Sequence, residues 1–245
     1  MRSVIFVLAL LAAPALAAPP RTVPASDLLI RQSSPQIDWR WRVAPEAATQ
    51  PALLASMRAA ALKAAAKART DAAGDAAIAK KSGFPFRRYE AISDWSLAAD
   101  TPHPLALAGE TYSLTGGAHG NTGSAARMWD KTAKRSIPID ALFSDWPRAR
   151  ALIMPAFCNA LAAEQTRRLG AAPTSEMNAC PKIAEQPMVP WVGIGSRAAQ
   201  LRVLVAPYVA GSYAEGSYLI TFPWPDALRA LVKPGYRADL FGAEP

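Results

Sequence analysis

His119 has the better setting for chemistry of the chain's two histidines, His103 and His119. It lies in the turn Thr115-Gly116-Gly117-Ala118-His119-Gly120-Asn121-Thr122, between two strand-like stretches. Gly116, Gly117 and Gly120 fall within five residues, which implies backbone angles or close approaches that a Cβ would hinder. A side chain held in such a turn is exposed and aimed. An imidazole there can act as acid or base, for example in a hydrolase directed at cell-wall material, if a nucleophile or an orienting carboxylate stands beside it. The polar neighbours are Asn121, Thr122 and Ser124, and they form neither a nucleophile elbow nor a paired zinc-ligand spacing. These residue types favour a ligand-binding or turn-fixing imidazole over a catalytic one. No catalytic residue, metal site or cofactor is assigned. The turn also lacks the Lys-Ser/Thr ending of a phosphate loop and the dinucleotide-binding spacing. His103, flanked by Pro102 and Pro104, reads as a loop residue.

A second group of candidates lies near the C-terminus. Tyr208, Tyr213 and Tyr218 recur beside Gly211 and Gly216. Tyrosine offers a rigid face and a hydroxyl, suited to a sugar or a protein partner, while tyrosines on a strand also pack across it. At least one of the three is expected to be packing. His119, Asn121, Tyr208 and Tyr213 are therefore the ligand-binding candidates. The only two cysteines are Cys158 and Cys180. In an oxidising compartment such a pair reads as one disulfide, stabilising the fold by about 3 kcal/mol on loop entropy. It would pin a helix to the loop that follows.

That compartment is indicated by the N-terminus. Arg2 supplies a positive start, Val4–Ala13 an uncharged apolar run, and Ala15-Leu16-Ala17 a small-x-small cleavage signal. Residues 1–18 are thus expected to be a signal peptide, giving a periplasmic or secreted protein. The run is short for a membrane span, which needs about 20 residues, and no later stretch is apolar for long enough. Removing 18 of 245 residues leaves 227 and takes away Arg2, so the net charge falls from +8 to +7. A basic chain favours acidic partners such as an anionic cell-wall polymer. Nucleic acid is a poor candidate outside the cytoplasm, and no dense Lys/Arg tract exists to grip phosphates.

The elements that would position these residues can be read from periodicity. Residues 19–35 are rich in Pro, Ser and Ala and read as a flexible leader, and residues 36–245 as a single domain. Gln36–Val43 alternates, with Ile37, Trp39, Trp41 and Val43 on one face. Pro51 opens a helix expected to run to about Ala73, with Gly74 interrupting it. Strand character follows in 84–99, 104–114 and 123–130. A helix is expected from Pro147 to about Leu169, then a proline-rich loop through Cys180. Strands recur at 191–195, 199–205 and 217–222, before a last helix opening at Pro225 or Asp226. This irregular interleaving with hairpin spacings predicts an α+β fold with a largely antiparallel sheet and packed helices.

Together these residues carry a resemblance. Tyr112-Ser113-Leu114-Thr115-Gly116-Gly117-Ala118-His119-Gly120 resembles the Gly-Gly-Ala-His-Gly turn of a bacterial extracytoplasmic family of domains of unknown function. That family includes the extracellular part of the RsiV anti-sigma factor and the N-terminal module of the PdaC deacetylase. Asp130-Lys131-Thr132-Ala133-Lys134, Asp140-Ala141-Leu142-Phe143, Ala206-Pro207-Tyr208, Gly216–Phe222 and Asp226–Val232 are similar to its later landmarks, so the likeness covers roughly 36–234. Ala133 stands where the family has a turn glycine. The resemblance implies helices on an antiparallel sheet and brings no catalytic site, since the deacetylase chemistry belongs to a separate domain. It implies a non-catalytic binding module of the cell envelope that recognises an envelope glycan or a protein, a lysozyme-like hydrolase among them.

Overall fold

The computed structural model describes residues 24–192 and 200–242. The expected signal peptide at 1–18 and the end of the strand expected at 191–195 lie outside the described residues.

Two sheets and two long helices make the frame. The large sheet has six strands in sequence order: β1 (Leu29–Ser33), β2 (Ile37–Val43), β3 (Tyr89–Asp100), β4 (Pro104–Leu114), β5 (Asn121–Asp130) and β6 (Arg135–Ile137). All neighbours are antiparallel except β2 and β3, which run parallel from Ile37↔Tyr89 to Val43↔Trp95. Parallel neighbours need a crossover, here formed by the helix at Pro51–Ser82. The small sheet is antiparallel: β7 (Met188–Trp191), β8 (Gln200–Val205) and β9 (Tyr218–Pro223). The fold is therefore α+β with a mostly antiparallel sheet, as the patterning predicts. Among the described residues no helix is long and apolar enough to cross a membrane.

Two local expectations are corrected. The leader is ordered from Ala25: a turn of helix α1 (Ala25–Leu28) leads into β1, which pairs with β2 from Leu29↔Arg42 to Ser33↔Asp38. Its partly exposed residues give no periodic signal, but β2 offers an open edge for its backbone. The crossover helix, α2, also continues through Gly74 to Ser82. One interior glycine costs about 1 kcal/mol, which the alanines around it tolerate. Gly83 ends the helix instead, in the left-handed conformation at φ 74° with its N–H on Ala79 and Lys80 carbonyls.

The large sheet is buried on both faces at one end only. Ile37, Trp39, Trp41 and Val43 alternate inward and meet Leu53, Leu54, Met57, Ala61 and Ala65 of α2, joined by Leu105, Leu107 and Trp129. The alternate residues Ala106, Ala108 and Met128 point the other way. There they meet the small sheet and the stripe Ala149, Ile153, Phe157 and Leu161 of α3 (Trp146–Leu169). Beyond Gly109, β4 and β5 leave this second core, and their hairpin reaches past the sheet toward the loop between β8 and β9. Helix α4 (Asp226–Arg229) and helix α5 (Pro234–Phe241) close the second core with Leu228 and Leu240.

Candidate functional site

The β4–β5 hairpin is in register from Pro104↔Asp130 to Ser113↔Asn121, so the glycine-rich run forms its tip. Two glycines there have identifiable jobs. Gly116 adopts φ 97°, in the region that favours glycine. Gly120 is covered by Tyr112: a Cβ at 120 would stand 2.3 Å from the tyrosine ring. At Gly117 a Cβ would meet only the His119 carbonyl oxygen, at an ordinary 3.7 Å, and the Gly117 carbonyl accepts from Arg87 Nη1 at 2.8 Å. This contact ties the tip to the segment following α2.

The tip presents His119 outward. Nδ1 lies 2.9 Å from the Gly120 carbonyl oxygen. A carbonyl only accepts, so this nitrogen carries the proton, and in the neutral ring Nε2 is left as an acceptor. The Tyr208 hydroxyl stands 3.3 Å from Nε2. The imidazole also stacks on Tyr213, with centroids 4.0 Å apart and planes 22° from parallel. Tyr208 completes the group, 6.3 Å from His119 and 5.7 Å from Tyr213 between ring centroids. Tyr208 is 55% exposed, so the three rings form an outward aromatic surface.

The β8–β9 loop that carries both tyrosines is irregular backbone fixed by polar anchors. Among the described residues Tyr208 is one of two non-glycine residues with positive φ, at 69°. A 3-10 turn at Tyr213–Glu215 is closed by a capping box between Ser212 and Glu215. The Glu215 carboxylate accepts from the Ser212 amide at 2.7 Å, Asn178 Nδ2 at 2.9 Å and the Tyr218 hydroxyl. The hydrogen bond from Tyr218 is the main reason that this carboxyl titrates below the usual range. Gly211 makes room, since a Cβ there would be 2.5 Å from Glu215 Oε2.

Helix α3 supplies the remaining anchors. Buried Gln165 donates to the carbonyls of Ala210 at 2.8 Å and Asn178 at 2.9 Å. Arg168 donates to the carbonyls of Glu215 at 2.7 Å and Ser217 at 3.0 Å, with its guanidinium 4.1 Å from the Tyr218 ring centre. Asn178 stands two residues before Cys180, which is bonded to Cys158 of α3 as expected. The disulfide thus holds the segment from which Asn178 reaches the loop.

Three of the four ligand-binding candidates therefore meet: His119, Tyr208 and Tyr213. Asn121 does not join them. It pairs with Ser113, which pairs in turn through β3 with Trp39, and alternation puts Asn121 on the α2 side of the sheet. Tyr218 is the packing tyrosine, almost fully buried. His103 is more than a loop residue: its Nδ1 and its backbone N–H both lie 2.7 Å from Asp239 Oδ2, tying the β3–β4 turn to α5. Glu215, Asn178, Gln165 and Arg168 carry no signal as site residues. The pattern Ser212-x-x-Glu215 ahead of a strand is the one local clue, as a capping box. Among the described residues no group of His, Cys, Asp and Glu is placed to hold a metal ion.

Comparison with known proteins agrees with this architecture. Residues 43–122 match the family described as deacetylase PdaC, a segment running from the end of β2 through α2 and β3 to the glycine-rich tip. No curated protein matches the chain. Among solved structures, a DUF3298 family protein from Bacteroides fragilis is similar at a TM-score of 0.51 and 13% identity, over 86% of this chain and 94% of that one. A DUF3298 family protein from Pseudomonas aeruginosa gives a TM-score of 0.49 and 15% identity, over 88% and 97%. The family match is confined to residues 43–122, and the likeness to the Bacteroides fragilis protein is one of fold.

Proposed function

We propose that this protein is an exported, non-catalytic binding module of the bacterial cell envelope, and that it holds an envelope glycan on the surface formed by His119, Tyr208 and Tyr213. The observation that supports this reading is the outward stack of His119 on Tyr213 beside exposed Tyr208. Aromatic faces with polar edges suit sugar rings, which pair apolar C–H faces with hydroxyls. The formal charge of +7 that remains from +8 once Arg2 is removed favours an anionic polymer. A strongly basic lysozyme-like partner would instead meet a like-charged chain.

The hydrolase alternative needs a nucleophile or a carboxylate at the imidazole. Among the described residues the partners of His119 are a backbone carbonyl and a phenol. This is an arrangement for holding a ring in place rather than for moving its proton through a dyad.

The test is cosedimentation of the chain from residue 19 onward with purified peptidoglycan sacculi, alongside capture from an envelope extract. Wild type is compared with His119→Ala and Tyr208→Ala, each checked for native circular dichroism. Retention on sacculi that falls at least tenfold in both folded variants supports the reading. Retention that is absent, or equal in all three, overturns it. Capture of a protein with no retention on sacculi replaces the glycan by a protein partner.

A further inference from the structure

A second site lies on the opposite face of the large sheet, between that face and α2. A cleft of about 420 Å³ opens there, within the roughly 300–1,000 Å³ of small-ligand sites. Trp39, Trp41 and Trp95 give it aromatic walls, and Ala64 and Ala68 line its helical side. The Trp95 ring lies directly over Gly109, where a Cβ would be 2.7 Å from the indole. The ring therefore lies low on the sheet and leaves the space above it open. The sheet residues beyond it, Ser93 and Thr111, are small, so neither wall fills the gap as a packed core would.

One charge stands in this mostly apolar lining. Arg127 pairs with Leu107 across β4 and β5, and Leu107 is buried in the α2 core, so Arg127 projects on the same side. Arg40 and Arg42 on the other face share Asp94. Among the described residues Arg127 has no carboxylate within ion-pair distance. A partly buried guanidinium without a counter-ion beside tryptophans is suited to an anion brought by the ligand.

From this geometry we propose that the cleft binds a fatty acid, a single apolar chain ending in a carboxylate. The chain lies among Trp39, Trp41 and Trp95, and the carboxylate rests on Arg127. The site is independent of the aromatic surface at His119, which lies across the sheet.

The experiment is quenching of intrinsic fluorescence by a brominated fatty acid, kept below its micelle concentration, on the chain from residue 19 onward. Three of the seven tryptophans line the cleft, so the expected result is saturable, partial quenching that lauric acid reverses. Ala64→Phe and Ala68→Leu, made separately, fill the cleft and should each abolish it; Ala64 is exposed and Ala68 half-buried, and each variant is checked for native circular dichroism. Arg127→Gln should weaken binding of the acid at least tenfold and leave its methyl ester unaffected. His119→Ala should change nothing. Absence of saturable quenching, or quenching that survives both filling variants, overturns the proposal. Equal binding of acid and ester by wild type removes Arg127 as the anion partner and overturns the assignment of a fatty acid.

Discussion

The Glu215 carboxylate accepts the hydroxyl of buried Tyr218, and this contact fixes the loop that presents Tyr213 to His119. The same carboxylate also takes the Ser212 amide and Asn178. Truncating it leaves three donors without their acceptor, at about 1–3 kcal/mol for each buried one. Glu215→Ala is therefore expected to lower stability by about 2–4 kcal/mol. It should also lower partner retention, although Glu215 is not part of the aromatic surface. Chemical denaturation and the sacculus assay read the two effects, and a variant with wild-type stability would refute the anchoring role.

The glycines of the site differ in what they tolerate. Gly120→Ala places a methyl group inside the Tyr112 ring, and Gly211→Ala places one against the Glu215 carboxylate. Each is expected to destabilise by about 1–3 kcal/mol, the range of overpacking. Gly117→Ala makes only an ordinary contact, 3.7 Å from the His119 carbonyl oxygen, and should fall within about 0.5 kcal/mol of wild type. Thermal unfolding of the three variants ranks them; a costly Gly117→Ala would contradict this assignment.

Reduction of the Cys158–Cys180 bond should lower stability by about 3 kcal/mol through loop entropy. Because Asn178 is held next to it, reduction should also loosen the β8–β9 loop. Hydrogen exchange at Ser212 and Gly216 is expected to accelerate in the reduced protein more than exchange in β4. Equal acceleration everywhere would mean that the bond acts only globally.

Acid should destabilise the fold through specific carboxylates. Glu164 is held down to about 2, first by the hydrogen bond from Arg167 and then by Arg168, and Glu215 is lowered chiefly by Tyr218. Both have folded values below their unfolded ones. The unfolded chain takes up protons first as pH falls, so the contribution is complete above the ordinary glutamate range and is lost downward from it. For Glu164 the loss ends near pH 2. Glu164 lies on the surface, so its share is small. A melting temperature that declines from pH 5 toward pH 2, with a shallower decline in Glu164→Gln, is the expected record.

Much of the frame was legible from residue order. The alternation of Ile37, Trp39, Trp41 and Val43 reports burial directly because a strand has a fixed period. The glycine-rich tip was legible too, since only a short list of backbone geometries needs glycine at 116 and 120. The β1 strand was not, because its pairing depends on the open edge of β2 rather than on its own pattern. Nor does Gly74 end α2, because its small local penalty is outweighed by the helix formers that follow.

Residue order alone marks the inward face of β2, the available cysteine pair and the constrained turn at His119. Only the tertiary structure decided that His119, Tyr208 and Tyr213 share one surface, while Asn121 faces the other side of the sheet. The physical reason is that period and turn chemistry are local, set by steric limits within a few residues. The meeting of the β4–β5 tip with the β8–β9 loop depends on how two sheets pack, and on Gln165, Arg168 and Asn178, which reach the loop from distant parts of the chain.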